Sequence, residues 1–293
     1  MAVILSLLAV GAVCGLLTWM VVSRWPSHDP AAPRVTTDSA VLAPGAGRRA
    51  RLGARWRRRT DPEIVTGLAL TLGVAAVVVL TATAGVLLLM IRTRTGLARY
   101  DLAFARWGAT HATPGSTTVL RRLSDLGGTV GVVSLAVIVS VIEFRRLPNR
   151  AIPALVALTV LGQFAIVNLI KAIVDRARPA LDQLTGFSSS SFPSGHATSA
   201  AATFGVIALL LGRRRGRRAR AAIAGGAVAI AVTVAGTRVL LGVHWLTDVL
   251  AGLAIGWAWF ALCSIAFGGR LLDFGSPAAL AEHLAEGPPG SRP

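Results

Sequence analysis

The sequence predicts an all-α, polytopic membrane bundle: a six-helix core preceded by one extra N-terminal transmembrane helix. Three observations carry this. Of 293 residues, 54% are hydrophobic and only 15% charged, and the mean hydropathy is positive, unlike a disordered chain or an ordinary soluble domain. Apolar stretches recur at about 2–23, 64–91, 129–144, 151–174, 193–212, 221–242 and 245–267, each near the ~20 residues that a helix rising ~1.5 Å per residue needs to cross hydrocarbon. The cations behind the formal charge of +17 gather between these stretches rather than along one face. Unpaired backbone groups are costly in lipid, so the spans are expected to be helices rather than strands.

The expected organisation is a transmembrane helix over 1–25, a flexible basic cytoplasmic linker over 26–63, the six-helix core over 64–267 and a flexible tail over 268–293. No cation precedes the first stretch and Arg24 follows it, which fits an uncleaved span with its N-terminus outside better than a signal peptide. Val13 stands before Cys14, where lipoprotein cleavage wants a small residue. The linker ends in Arg48, Arg49, Arg51, Arg55, Arg57, Arg58 and Arg59, either a patch for anionic headgroups or a purely topogenic charge block. Arg145, Arg146 and Arg150 lie in one short connection, and Arg213, Arg214, Arg215, Arg217, Arg218 and Arg220 in another. The positive-inside rule puts all three connections in the cytoplasm; with Arg24, which follows the first apolar stretch, they hold 18 of the 29 arginines. The segments 92–128, 176–192 and near 243 then lie outside. Within the first of these, 97–107 mixes apolar and basic residues and reads as an amphipathic helix over the outer surface. The stretch 129–144 is the shortest and would borrow Leu126 or Leu147.

Nucleic-acid binding, the other common meaning of such basicity, would want a basic face on a soluble fold. Cys14 and Cys263 lie inside apolar runs and match no disulfide or zinc spacing. His28, His111 and His283 have no partners at useful spacing, and Trp245, Trp257 and Trp259 read as packing or interface aromatics.

Three polar constellations stand at the ends of spans, all on the expected outer side. Lys171 and Arg178 are seven apart, two helical turns, so they share a face near the exit of 151–174 before Pro179 stops the helix. Asp175 is a candidate ion-pair partner for Lys171. Next, Pro193, Ser194, Gly195 and His196 open a span. Proline and serine at a helix start are ordinary, but Gly195 lets an anion approach the free first-turn N–H groups, where the helix dipole favours negative charge. His196 would stand beside that anion, placed to donate a proton. The third group is Thr237-Arg238, His244 and Asp248. His244 and Asp248 are at i and i+4, so on one helix the carboxylate can hold one imidazole nitrogen while the other faces substrate, making the histidine a better nucleophile or base. Taken singly, these are snorkelling anchors and helix caps. Together they specify ten identities: three cations for a polyanion, a helix N-terminus for its oxygens, and two histidines with a carboxylate behind one. That inventory describes phosphoryl transfer.

These residues resemble the three-part signature of the type 2 phosphatidic acid phosphatase family, Lys-x6-Arg-Pro, Pro-Ser-Gly-His and Ser-Arg-x5-His-x3-Asp, across about residues 64–267. Thr237 stands where the family usually has serine and keeps the hydroxyl. The resemblance implies an integral membrane lipid phosphate phosphatase that uses no metal or cofactor and forms a phosphohistidine intermediate. By position, His244 is the nucleophile, Asp248 orients and charges it, and His196 is the acid for the leaving oxygen and then the base for water. Lys171, Arg178, Arg238, Ser194 and Gly195 bind the phosphoryl oxygens. The implied substrate is a phosphomonoester or diphosphate of a membrane lipid, met at the extracytoplasmic face of the cell membrane: an isoprenyl diphosphate such as undecaprenyl diphosphate, or a phosphatidate or phosphatidylglycerophosphate. A lipid-linked phosphotransferase would carry the same signature. A soluble haloperoxidase of the wider superfamily is disfavoured by the spans. A silent transporter or scaffold is disfavoured because the charges gather at one end of the spans rather than near the midplane.

Overall fold

The computed structural model describes residues 2–24, 62–179 and 190–271. The arginine cluster at 48–59 with nearly all of its linker, residues 180–189, the tail beyond 271, His28 and His283 lie outside the described residues. Among those described, the chain is helical with no strand: α1 (Ala2–Arg24), α2 (Pro62–Thr93), a 3-10 turn (Gly96–Tyr100), α3 (Asp101–Thr110), α4 (Pro114–Asp125), α5 (Thr129–Arg146), α6 (Ala151–Val174), α7 (Gly195–Gly212), α8 (Arg217–Leu240) and α9 (Leu246–Leu271).

Six helices are long and apolar enough to cross a membrane: α1, the Leu70–Thr93 part of α2, α6, α7, α8 and the Leu246–Phe267 part of α9. The expected short span at 129–144 is α5, which is long and apolar enough to cross only when taken together with α4, across a 44° bend; 92–128 is largely helix rather than loop. At the bend the amides of Gly127 and Gly128 donate to the carbonyls of Ser124 (2.9 Å) and Asp125 (3.1 Å). A Cβ on Gly127 would stand 2.4 Å from Val234, so only glycine lets the elbow press against α8. A proline-led capping box starts α4: Thr113 accepts from the Ser116 amide at 3.2 Å, with Pro114 in the first turn.

The most enclosed helix is α7, flanked by α8 and α9 through Ala197, Ala201, Val234 and Val249. Small residues let it sit deep: a Cβ on Gly252 would lie 2.7 Å from the Ser194 carbonyl and one on Gly256 2.5 Å from that of Thr198. A second cluster joins α5, α6, α7 and α9 through Val132, Leu155, Leu210 and Cys263. Helix α1 runs antiparallel along α8, with Leu7 against Gly236 and Gly15 against Gly225. Exposed apolar side chains such as Val78, Val79 and Leu89 face outward, as a lipid-facing surface requires.

Chain order sends the connections 145–150 and 213–220 to one end of the bundle and 94–113, 175–179 with 190–194, and 241–245 to the other. At the basic end Glu143 is buried and accepts from Arg146 and Arg213, each at 3.0 Å. The signature residues all lie at the opposite end.

Candidate active site

Four helix ends supply the site: the last turns of α6 and α8 and the first turns of α7 and α9. They bring Lys171, Arg178, Ser194, Gly195, His196, Arg238, His244 and Asp248, well separated in sequence, to one end of the bundle. Ser194 is the N-cap of α7, yet its side chain makes no capping bond; the hydroxyl is fully buried and has no hydrogen-bond partner among the described residues. Its amide donates to the Asp248 carbonyl at 3.1 Å, which fastens the start of α7 to that of α9. A Cβ on Gly195 would meet only Val167, at 3.7 Å, so this approach to the first turn is open. A partly exposed His196 turns Nε2 toward the elbow, 3.6 Å from where a Cβ on Gly128 would be.

His244 sits in the turn between α8 and α9, almost wholly buried. Nδ1 lies 3.5 Å from Oδ2 of Asp248, which also accepts from the Trp245 amide at 3.1 Å. Nε2 lies 3.3 Å from Nη1 of Arg178. A guanidinium only donates, so Nε2 must be the accepting nitrogen; the ring proton is thereby assigned to Nδ1, facing the carboxylate. The imidazole thus presents its lone pair toward the Arg178 guanidinium. Burial pushes the His244 pKa down to about 4; the nearby Asp248 carboxylate pulls it up, and the charges of Arg178 and Arg238 push it down further. The ring is therefore neutral near pH 7, as a nucleophile must be.

Around it stand the three expected cations. Arg178 donates to the Val243 carbonyl at 2.8 Å and to that of Ser190 at 3.5 Å; burial lowers its pKa, partly offset by Asp248. Lys171 Nζ donates to the same Ser190 carbonyl. Arg238, 3% exposed, donates to Oγ of Ser124 at 2.7 Å. The expected pairing of Lys171 with Asp175 does not form: Asp175 caps α6 in a left-handed conformation (φ 40°) with its side chain exposed, because the chain turns there instead of continuing the helix.

Several neighbours carried no sequence signal. Arg176, inside the unspecified stretch between Lys171 and Arg178, bonds to Asp248 and to Asp101, which lies at the start of α3. Thr247 bonds to Asp101 through both amide and hydroxyl. Trp245 donates to the Ala177 carbonyl at 2.8 Å, and Ser124 comes from α4. The amphipathic segment expected at 97–107 is the 3-10 turn and α3, anchored by Asp101 and by Gly108, whose Cβ would stand 2.9 Å from Leu240.

Residues 152–271 match the family model described as PAP2 superfamily. Phosphatidylglycerophosphatase B of Bacillus subtilis is 34% identical over 155 residues, 51% of this chain and 74% of that protein. Decaprenylphosphoryl-5-phosphoribose phosphatase of Mycobacterium tuberculosis is 37% identical over 166 residues, 54% and 84% of the two chains. Among solved structures, a transmembrane PAP2-type phosphatidylglycerolphosphate phosphatase from Bacillus subtilis superposes with a TM-score of 0.60 at 28% identity, covering 67% of this chain and 96% of that one.

Proposed function

The chain belongs to the PAP2 superfamily and is a phosphatase; from that premise we propose that it hydrolyses the phosphomonoester or diphosphate of a membrane lipid through a phosphohistidine on His244. The observation that carries this is the environment of one imidazole. The lone pair of His244 Nε2 faces Arg178, its Nδ1 is backed by Asp248, and the uncapped N-terminus of α7 opens beside it.

In the first step Nε2 attacks phosphorus in line with the ester oxygen, forming the N–P bond as the P–O bond to the lipid breaks. Positive charge grows on the ring and is met by Asp248. The leaving oxygen takes its proton from His196. Lys171, Arg178 and Arg238, with the Ser194 hydroxyl and the Gly195 amide, hold the equatorial oxygens, where positioning and charge stabilisation do most of the catalysis. In the second step His196 takes a proton from water, whose oxygen attacks phosphorus; the N–P bond breaks, and phosphate and neutral His244 are regenerated.

The substrate reading is an isoprenyl diphosphate or a general lipid phosphate. The two relatives are named as phosphatases of phosphatidylglycerophosphate and of decaprenylphosphoryl-5-phosphoribose, both lipid-linked phosphates, which supports the general lipid phosphate. One observation supports a site on the extracytoplasmic face: the basic connections 145–150 and 213–220 leave the bundle at the far end, the end that the positive-inside rule assigns to the cytoplasm.

The test is phosphate release from these lipids by purified protein in detergent, with and without EDTA and with no acceptor added. Wild type should release phosphate in both conditions, His244→Ala none, and His196→Ala should stall at leaving-group expulsion. Wild-type rates in either variant would overturn the roles, and a strict Mg²⁺ requirement would overturn the mechanism.

A further inference from the structure

Asp248 uses only one oxygen, Oδ2, toward His244. The other, Oδ1, accepts from Nη1 of Arg176 at 2.5 Å. Nη2 of the same guanidinium donates to Oδ2 of Asp101 at 2.8 Å, and Nη1 also reaches Oγ1 of Thr247 at 2.9 Å. Asp101 accepts the Thr247 amide at 2.9 Å on Oδ1 and its hydroxyl at 2.6 Å on Oδ2. Asp248 and Asp101 are 0% and 3% exposed, and the Arg176 side chain 16%, lying over the Trp245 ring. Three chain segments that share no sequence neighbourhood thus meet on one guanidinium.

We infer that Arg176 and Asp101 are positioning residues for Asp248, a clamp that sets both the direction and the effective charge of the carboxylate behind the nucleophile. The inference rests on the reading of His244 as nucleophile. A fork with two donating edges can hold two carboxylates at fixed angles, which an ammonium cannot. Two carboxylates against one guanidinium leave one negative charge over, in a buried place where it is felt strongly by the imidazole. Asp101 draws part of the Arg176 charge to itself, so Asp248 keeps charge for His244 as positive charge develops on the ring. Neither Arg176 nor Asp101 belongs to the expected phosphate-binding set, so their effect should appear in turnover rather than in substrate binding.

The test compares purified wild type, Asp101→Asn, Arg176→Lys and Arg176→Gln, with His244→Ala as the dead control, on one hydrolysed lipid phosphate. Asp101→Asn and Arg176→Lys should lose about 10- to 100-fold in kcat, as partners that orient a functional group commonly do, with KM within about twofold. The pH profile of kcat/KM separates this from a structural role. His244 is faced by Asp248 of α9, Arg178 after α6, Arg238 of α8 and His196 of α7. Losing Arg176 frees Asp248 to favour a proton on His244, so the acid limb of Arg176→Gln should move to higher pH. Losing Asp101 gives the whole guanidinium charge to Asp248, so the limb of Asp101→Asn should move to lower pH. Substrate ionisation is common to all variants and cancels in the comparison.

Unchanged kcat, a loss confined to KM, or limbs moving the same way would overturn the clamp while leaving the phosphatase reading intact. A wild type that releases no phosphate from any lipid would overturn both. Arg176→Gln leaves two buried carboxylates uncompensated and is the variant most exposed to misfolding; the kcat and KM of Arg176→Lys and Asp101→Asn then decide the matter.

Discussion

His244 stands between a carboxylate at Nδ1 and a guanidinium at Nε2, and this arrangement makes it answerable to pH. Its folded pKa, near 4, is below the usual histidine value near 6.5. The unfolded chain therefore takes up a proton that the folded state refuses, and this contribution to stability is present above pH 6.5 and lost as pH falls toward 4. Thermal unfolding in detergent should show the wild-type midpoint falling between pH 7 and pH 5 more steeply than that of His244→Gln. Parallel curves would mean that the imidazole is not desolvated as described. Lys171 offers a second test. It is the one lysine among 30 cations, and its ammonium shares the Ser190 carbonyl with Arg178 in a half-buried space. A second guanidinium would not fit the same contacts. Lys171→Arg should lose roughly tenfold in kcat/KM, the equivalent of one charge-assisted hydrogen bond at about 1.5 kcal/mol; full activity would make the exception an accident of coding. The signature residues were legible in the sequence because each motif is local. Arg176 and Asp101 were not, since nothing in their spacing says that positions 75 residues apart share a salt bridge.

Among the elements, α1 and the α4–α5 pair show how packing extends what composition foretold. Apolar length predicts that α1 spans the membrane, but its partner is set by small residues. A Cβ on Gly15 would stand 2.6 Å from the Gly225 carbonyl, and one on Gly225 2.6 Å from that of Gly15, the close backbone approach that drives helix association in lipid. The N-terminal end of α1 then places Val3 and Leu7 in a cluster with Leu120, Leu241 and Val243, directly beside the turn that carries His244. Gly225→Leu should wedge α1 away, lowering stability by about 1–3 kcal/mol and activity with it, whereas Gly226→Ala, with open space around its Cβ, should leave both unchanged or slightly improved. Equal unfolding midpoints for the two variants would sink the packing argument. The capping box of Thr113 and Ser116 starts α4 inside a stretch that hydropathy alone reads as a connection. The direction of the Gly127-Gly128 elbow, toward His196 and α8, depends on packing that no local pattern encodes.

For the whole molecule, the consequence of the charge distribution is orientation. Single cysteines placed on a background without Cys14 and Cys263 can test it: Thr110→Cys, exposed at the site end, should react with a membrane-impermeant reagent in intact cells, and Arg215→Cys, exposed at the basic end, only after permeabilisation. The reverse pattern would place the candidate site in the cytoplasm. By itself the sequence determined the helical class, the positions of most spans, which connections are basic, and the chemical inventory of the site. Each of these depends on neighbours within a few turns of the chain, where hydropathy, helical spacing and capping operate. Only the tertiary structure decided that Lys171 has no ion pair with Asp175, that α4 and α5 form one bent element, that α1 docks on α8, and that Arg176 ties Asp101 to the carboxylate behind His244. These depend on which helix faces meet and how closely, and that is set by side-chain shape and small-residue contacts summed over the bundle rather than by any local pattern.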